Sequence, residues 1–442
     1  MLGAFRRLAE GGAIELITSA ATHGYLPLLG REESIDLHLR VGGATHQRHF
    51  GSSPRGVWLP ECGYRPRYEW TPPAGQLRGK VRRRRRGIEE FLAVHGLQYF
   101  ITDAHLLRGG DPLSAYRDYY PALRAVGAGA EHPAYQRDRT PYRPYIVASR
   151  GGLGEAVVFT RDPRTTLQVW SREVGYPGDG SYLEFHKKHF PGGIRYWRVT
   201  DPKSDLAEKL IYDPQRALEA TATHATHFTQ LVGDVLDGEA QRASRPAVTC
   251  NPYDTELFGH WWLEGPLFLE EILRRLPAAG IEVGTLGAYL EQHPPAEAIT
   301  LLEGSWGEGG DHRVWLNRDT EWTWEMAYAA EEEFWTVAAG LPWDGHPLQQ
   351  RILAQLAREL LLLQASDWQF LITTWAARNY AETRFAEHYA HFTRLGQLLR
   401  RAAEGQPLQD ADEQFLAARE AQDFVFPGVL DHVRAAREVR SL

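Results

Sequence analysis

The sequence predicts an α/β protein, with parallel strand–helix units over residues 1–320 and a helical domain at 321–442. Three observations carry this. Short apolar runs that end in a polar residue alternate with helical stretches in the first part. Apolar residues make up 43% of 442 residues, enough to build a sizeable core. Beyond about residue 320, apolar positions recur at helical spacing and strand signals fade.

Residues 13–18 (AIELIT) read as a short buried strand. Residues 31–49 read as a helix of poor period, with apolar Ile35, Leu37, Leu39 and Val41. VWLPE at 57–61 reads as a strand presenting Glu61 at its end. A helix at about 87–95 stops at Gly96, and LQYFITD at 97–103 forms the next strand. The rhythm then fails from 104 to about 200, where Gly, Pro, Tyr and Arg crowd and EAVVF (155–159) and LQVW (167–170) read as possible strands. This stretch is expected to be a loop-rich insertion over one face of the sheet. A helix at about 203–236, strand PAVTC (246–250), a helix near 265–276, strand IEVGTL and a helix at about 286–292 restore the alternation. Helices at 322–340, 347–366 and 380–403 follow; Ile352, Leu353, Leu356, Leu360 and Leu363 make a broad apolar stripe.

Composition narrows the function. A net charge of −8 argues against a polyanion, so nucleic acid is not an expected partner. The basic run at 80–86 (KVRRRRR) reads as a solvated loop before a helix with acidic first-turn residues Glu89 and Glu90. Fourteen Trp, 19 Tyr and 17 Phe suit either core packing or sugar-stacking surfaces. Cys62 and Cys250 are too few for a disulfide scaffold and read as buried small apolar side chains. No run of about 18 or more apolar residues occurs, so no membrane partner is expected and a cytoplasmic location is.

Two segments join carboxylates to aromatics and histidine more densely than packing demands: GVWLPECGY (56–64) and NPYDTELFGHWWLEGP (251–266). Each sets a carboxylate just past a strand, Glu61 and Asp254. At the C-terminal ends of parallel strands such side chains converge on one mouth. Two carboxylates about 5–5.5 Å apart would suit a retaining glycosidic reaction, one attacking the sugar carbon and the other moving the proton. The acid would need a raised pKa while the nucleophile stays ionised. His23, His260, His312 and Asp311 lack metal-ligand spacing, and no metal is expected.

These segments, with IELITSAATHGYLPLL and SWGEGGDHRVWLN (305–317), resemble signature regions of glycoside hydrolase family 57. RILAQLARELLLLQASDWQFLITT resembles the helical domain of that family's 1,4-α-glucan branching enzymes. The resemblance implies an incomplete (β/α)7 barrel that needs no cofactor and cleaves α-1,4 linkages. In the branching subgroup the fragment is rejoined to a 6-hydroxyl of amylose or glycogen. It further implies Glu61 as nucleophile and Asp254 as general acid/base. His23, His260 and Trp261 are implied at the substrate, and Trp170, Trp306 and Trp315 as aromatic subsite residues. Glu264 and Asp311 are spare acids that bind hydroxyls or hold neighbouring side chains. A tyrosine-bearing loop covers the site in branching enzymes. Tyr116, Tyr119, Tyr120, Tyr135 and Tyr142 are candidates here, with Tyr135 chosen for its place beside His132 and Pro133. The family's first strand carries an HxHxP-type motif that this sequence lacks, so an N-terminally truncated barrel is expected. A monomer or small homo-oligomer acting on α-1,4-glucan is the leading expectation. A family 57 α-amylase, a 4-α-glucanotransferase or an inactive glucan-binding protein are the alternatives.

Overall fold

The computed structural model describes residues 1–439 except 76–77, 115–118, 130, 137, 150, 152–153, 202 and 244–245. Its strands are β1 (Thr18–Ser19), β2 (Gly56–Trp58), β3 (Tyr68–Trp70), β4 (Arg83–Arg85), β5 (Tyr99–Asp103), β6 (Tyr145–Ala148), β7 (Glu155–Arg161) and β8 (Ala298–Ile299). Six of them form one sheet in the order β1-β2-β5-β7-β6-β8. β1, β2, β5 and β7 run parallel, with Thr18 opposite Val57, Gly56 opposite Tyr99 and Tyr99 opposite Val157. β6 is antiparallel to β7 and parallel to β8. The described strands leave the sheet open rather than closed into a barrel.

Strands β6 and β7 correct the expected insertion, because they build the sheet, and β7 contains the expected strand EAVVF. β7 pairs with β5 along five residues, and its Ala156, Val158 and Phe159 are buried. LQVW is the end of helix Pro163–Trp170, not a strand. Asp162 decides this: its carboxylate accepts from the backbone N–H of Arg164 and Thr165, and Pro163 supplies a preset first-turn φ. PAVTC and IEVGTL lie outside the strands; Cys250 alone makes a bridge, parallel, with Arg161. Strand propensity without a neighbouring ladder leaves a segment extended but unpaired.

The poor period of residues 31–49 has a structural cause. Helix Glu32–Phe50 is buried on two sides: Ile35 and Leu39 join the sheet core, while Leu37 and Val41 join the core of the C-terminal helices. That second core holds helices Glu321–Gly340, Pro347–Leu363 and Arg378–Ala403, with the leucine stripe at its centre. The basic run is also not a solvated loop. β4 pairs with β3, and Arg85 is buried with its guanidinium 4.7 Å from the Trp70 ring centre and bonded to the Leu29 carbonyl. Arg83 pairs with Glu332 at 2.6 Å, so the run ties the sheet to the C-terminal helices. Among the described residues, no helix is long and apolar enough to cross a membrane.

Candidate active site

The parallel strands deliver their chemistry at one end. β1 runs toward His23, β2 toward Glu61, β5 ends in Asp103 and β7 in Arg161. Both of the first two turns use residues with positive φ that are not glycine: Thr22 (51°) and His23 (59°), then Glu61 (60°) and Cys62 (52°). Left-handed backbone at bulky residues costs about 1–2 kcal/mol each and persists only where the surroundings enforce it. The first turn is enforced from the C-terminal helices. Ser366 N–H donates to the His23 carbonyl at 3.1 Å, and the Thr22 hydroxyl donates to the Leu361 carbonyl. A side chain at Gly24 would meet the buried His38 ring at 2.5 Å, so the close approach here requires glycine.

Glu61 opens into a cavity of about 300 Å³ that also presents His23, Tyr119, Tyr120, Trp170, Asp254, Glu256, Trp261, Trp306, Asp367 and Phe370. Trp306 Nε1–H donates to Glu61 Oε2 at 2.8 Å, and Ser366 Oγ lies 3.4 Å from Oε1. His23 Nε2 lies 3.8 Å from Oε1. The Trp306 backbone N–H also donates to the Glu61 carbonyl, at 3.0 Å. Below Trp306 sits Arg161, its guanidinium 5.2 Å from the ring centre and paired with Asp103 in a fully buried salt bridge. Arg161 drives the Asp103 carboxyl far below the usual range despite burial. The indole that grips Glu61 therefore rests on a fixed cation.

Burial pushes the Glu61 carboxyl up to about 7, with Asp367 and Glu256 adding to the rise and the Trp306 and Ser366 hydrogen bonds opposing it. Burial likewise lowers His23, against the fields of Asp367, Asp254 and Glu256. The sequence expectation set the raised pKa on the acid and kept the nucleophile ionised; in the structure Glu61 carries a raised pKa, because enclosure outweighs the two donors. Replacing Trp306 with Phe removes a hydrogen bond to a charged group, worth about 1.5–3 kcal/mol. The acid limb of kcat/KM should then move up by about one to two pH units. A pH–rate profile with an unmoved limb would remove Trp306 from this role.

Trp170, Trp261, Trp306 and Asp254 line the cavity as expected. Trp315 does not: it is buried and stacked on Tyr25 at 4.5 Å, a core position that no sugar reaches. His260 is exposed and lies edge-on to Phe185 at 5.1 Å, outside the cavity lining. Tyr135 is 52% exposed, held by Arg108 at 3.2 Å, and also outside the lining. Two of the other candidates, Tyr119 and Tyr120, hold the wall. Tyr119 donates to the Trp170 carbonyl at 2.8 Å, and Tyr120 sits edge-on to both Trp261 (6.2 Å) and Phe370 (5.4 Å). Tyr142 donates to Asp162 at 3.0 Å, and Tyr116 lies outside the described residues. Glu264 accepts from Leu183 N–H at 3.1 Å and Asp311 holds Arg313, neither at the cavity. Cys62 and Cys250 are buried free thiols.

Sequence reasoning missed Glu256, Ser366, Asp367 and Phe370. Glu256 is two residues from Asp254 in the same motif, a signal that was present. Asp367 and Phe370 belong to helix Asp367–Thr374 of the C-terminal region, and only folding brings that helix to Glu61. Elsewhere, Glu359, His388, His391 and Asp423 gather within 4.8 Å among the C-terminal helices. Arg384 reaches His388 Nε2 (3.1 Å) and Arg419 reaches His391 Nε2 (3.3 Å). Both imidazoles approach the Glu359 carboxylate, His388 Nδ1 at 2.8 Å and His391 Nδ1 at 3.7 Å, and Arg419 lies 3.9 Å from Asp423, so the cluster reads as a charge-balanced network rather than a metal centre.

Residues 1–301 match the model of glycosyl hydrolase family 57. The chain belongs to glycosyl hydrolase family 57. Residues 326–432 match the model described as 1,4-alpha-glucan branching enzyme, C-terminal. The 1,4-alpha-glucan branching enzyme of Thermococcus kodakarensis is 41% identical over 431 residues, 97% of this chain and 60% of that protein. A probable 1,4-alpha-glucan branching enzyme of Mycobacterium tuberculosis is 31% identical over 399 residues, 88% of this chain and 64% of its own length. The chain thus spans about three-fifths of the length of these curated relatives. The crystal structure of the family 57-type branching enzyme from Pyrococcus horikoshii superposes with a TM-score of 0.85 at 38% identity, covering 100% of this chain and 75% of that one.

Proposed function

We propose that this family 57 protein is a 1,4-α-glucan branching enzyme acting on amylose and glycogen by retaining glycosyl transfer. The observation that carries the reading is the cavity in which Glu61 and Asp254 share walls with Trp170, Trp261 and Trp306. Two carboxylates supply the two roles the reaction needs. Glu61 Oε1 or Oε2 attacks the anomeric carbon, and the C1–O4 bond breaks as Asp254 gives its proton to the leaving 4-oxygen. A 6-hydroxyl of an acceptor chain then attacks the same carbon, passing its proton to Asp254 and freeing Glu61. Trp306 and Ser366 hold the nucleophile in line. Indole faces bind the apolar C–H faces of the sugar rings. The likeness of residues 326–432 to branching-enzyme C-terminal regions favours branching over simple hydrolysis. A cytoplasmic role in glycogen synthesis follows from the same reading, as do reduced Cys62 and Cys250.

Incubation with amylose should create α-1,6 linkages, seen by proton NMR, with little release of reducing ends. Shorter linear chains alone would point instead to an α-amylase or 4-α-glucanotransferase. Transfer requires that water be kept from the glycosyl-enzyme. Tyr120, bridging Trp261 and Phe370, is suited to that exclusion. Tyr120→Ala should raise the ratio of hydrolysis to transfer several-fold while donor cleavage persists. An unchanged ratio of reducing ends to branches would count against this role.

A further inference from the structure

Helix Asp367–Thr374 begins at the cavity, with Asp367 and Phe370 in its wall. Just past its other end stands Trp375, eight residues on, a span of about 12 Å at 1.5 Å per residue. Trp375 adopts the left-handed conformation (φ 60°, ψ 14°) and caps the helix by donating its N–H to the Ile372 carbonyl. Glycine or asparagine suits this position, and a bulky aromatic is strained there. The indole gains little burial in return, for Trp375 is 65% exposed. It is nevertheless held in place. The Arg378 guanidinium lies 4.6 Å from its ring centre, and Arg378 is itself fixed by Glu382 (2.8 Å) and Asp319 (3.3 Å). A strained, exposed aromatic backed by an anchored cation offers stability little and a ligand much.

We propose that Trp375 is a distal platform for the α-1,4-glucan chain, binding sugar units several residues away from the bond under attack. The proposal rests on the glucan reading of the cavity. A pyranose lays its apolar C–H face on the open side of the indole, while Arg378 keeps the ring oriented from below. The helix links the platform rigidly to Asp367 and Phe370, so a chain held at both points is aligned along the surface of the C-terminal helices. Maltose, only two rings long, is too short to occupy the cavity and the platform together.

The test is binding of amylose and of maltose by isothermal titration calorimetry, in the Glu61→Gln background so that nothing turns over. Trp375→Gly suits the left-handed position and removes the platform without backbone strain, and Trp375→Tyr keeps an aromatic face. The Gly variant should bind amylose about five- to tenfold more weakly, with maltose binding unchanged and the Tyr variant close to the parent. Amylose binding unaffected by Trp375→Gly would overturn the proposal. So would an equal loss for both ligands, which would mark a general structural effect. If the Glu61→Gln parent binds neither ligand, the glucan reading itself fails and the platform falls with it.

Discussion

Replacing Glu61 with Gln should lower glycosyl transfer on amylose by on the order of 10⁴-fold or more, since the variant retains shape but lacks the nucleophile. Azide added to Glu61→Gly should restore cleavage of an activated maltosyl donor, giving a product of inverted configuration. Retained configuration in that product, or a Gln variant with substantial activity, would assign the attack to another group. The same substitution should stabilise the fold. Burial lifts the Glu61 carboxyl from an ordinary value of 4.5 to about 7. Between those pH values the folded state binds more protons than the unfolded state, so wild-type stability falls as pH rises through that window. Above about pH 7 the full penalty is present, on the order of 3 kcal/mol. The amide of the Gln variant carries no charge to bury and escapes it. Thermal unfolding should therefore show the Glu61→Gln variant more stable than wild type at pH 8 and nearly equal to it at pH 4.5. Activity follows the opposite course: the acid limb of wild-type kcat/KM should fall about tenfold per unit below pH 7.

The second large effect belongs to Asp254. Asp254→Asn should reduce transfer from amylose by about 10²–10⁴-fold, the contribution typical of a positioned general acid/base. The loss should depend on the leaving group. A glycosyl fluoride needs no proton to depart, so the first step should recover with that donor. Breakdown of the intermediate should then become limiting and should accelerate with azide. Equal losses for amylose and glycosyl fluoride would mean that Asp254 does not deliver the proton. Glu256, which also lines the cavity, is then the carboxylate to replace next.

Glu61 lies just past β2 and His23 just past β1, where chain direction aims side chains at one mouth; Asp254, Trp170, Trp261 and Trp306 reach the same cavity without a preceding strand, and the resemblance of their motifs to family 57 marked them. Trp315 and His260 were misplaced for a related reason. They share those motifs, but one residue more or less of turn sends a side chain into the core or out to solvent. Trp315 went to the core, stacked on Tyr25, and His260 to the surface beside Phe185. Tyr135 was a choice among loop tyrosines that no local pattern separates. Tyr119 and Tyr120 are distinguished only by what they touch across the cavity.

The α/β class and the helical C-terminal region were determined by sequence alone, since they depend on local periodicity, and the sequence also proposed the carboxylate pair. The environment of that pair was decided by tertiary structure. Ser366, Asp367 and Phe370 come from more than 300 residues beyond Glu61, and Arg161 sits under Trp306 from another strand. Burial and neighbouring charge are sums over everything folded around a group, and no stretch of sequence contains them. Hence the sequence could name Glu61 but not the feature that governs its behaviour, an enclosed carboxyl lifted to about 7 and steadied by Trp306 and Ser366.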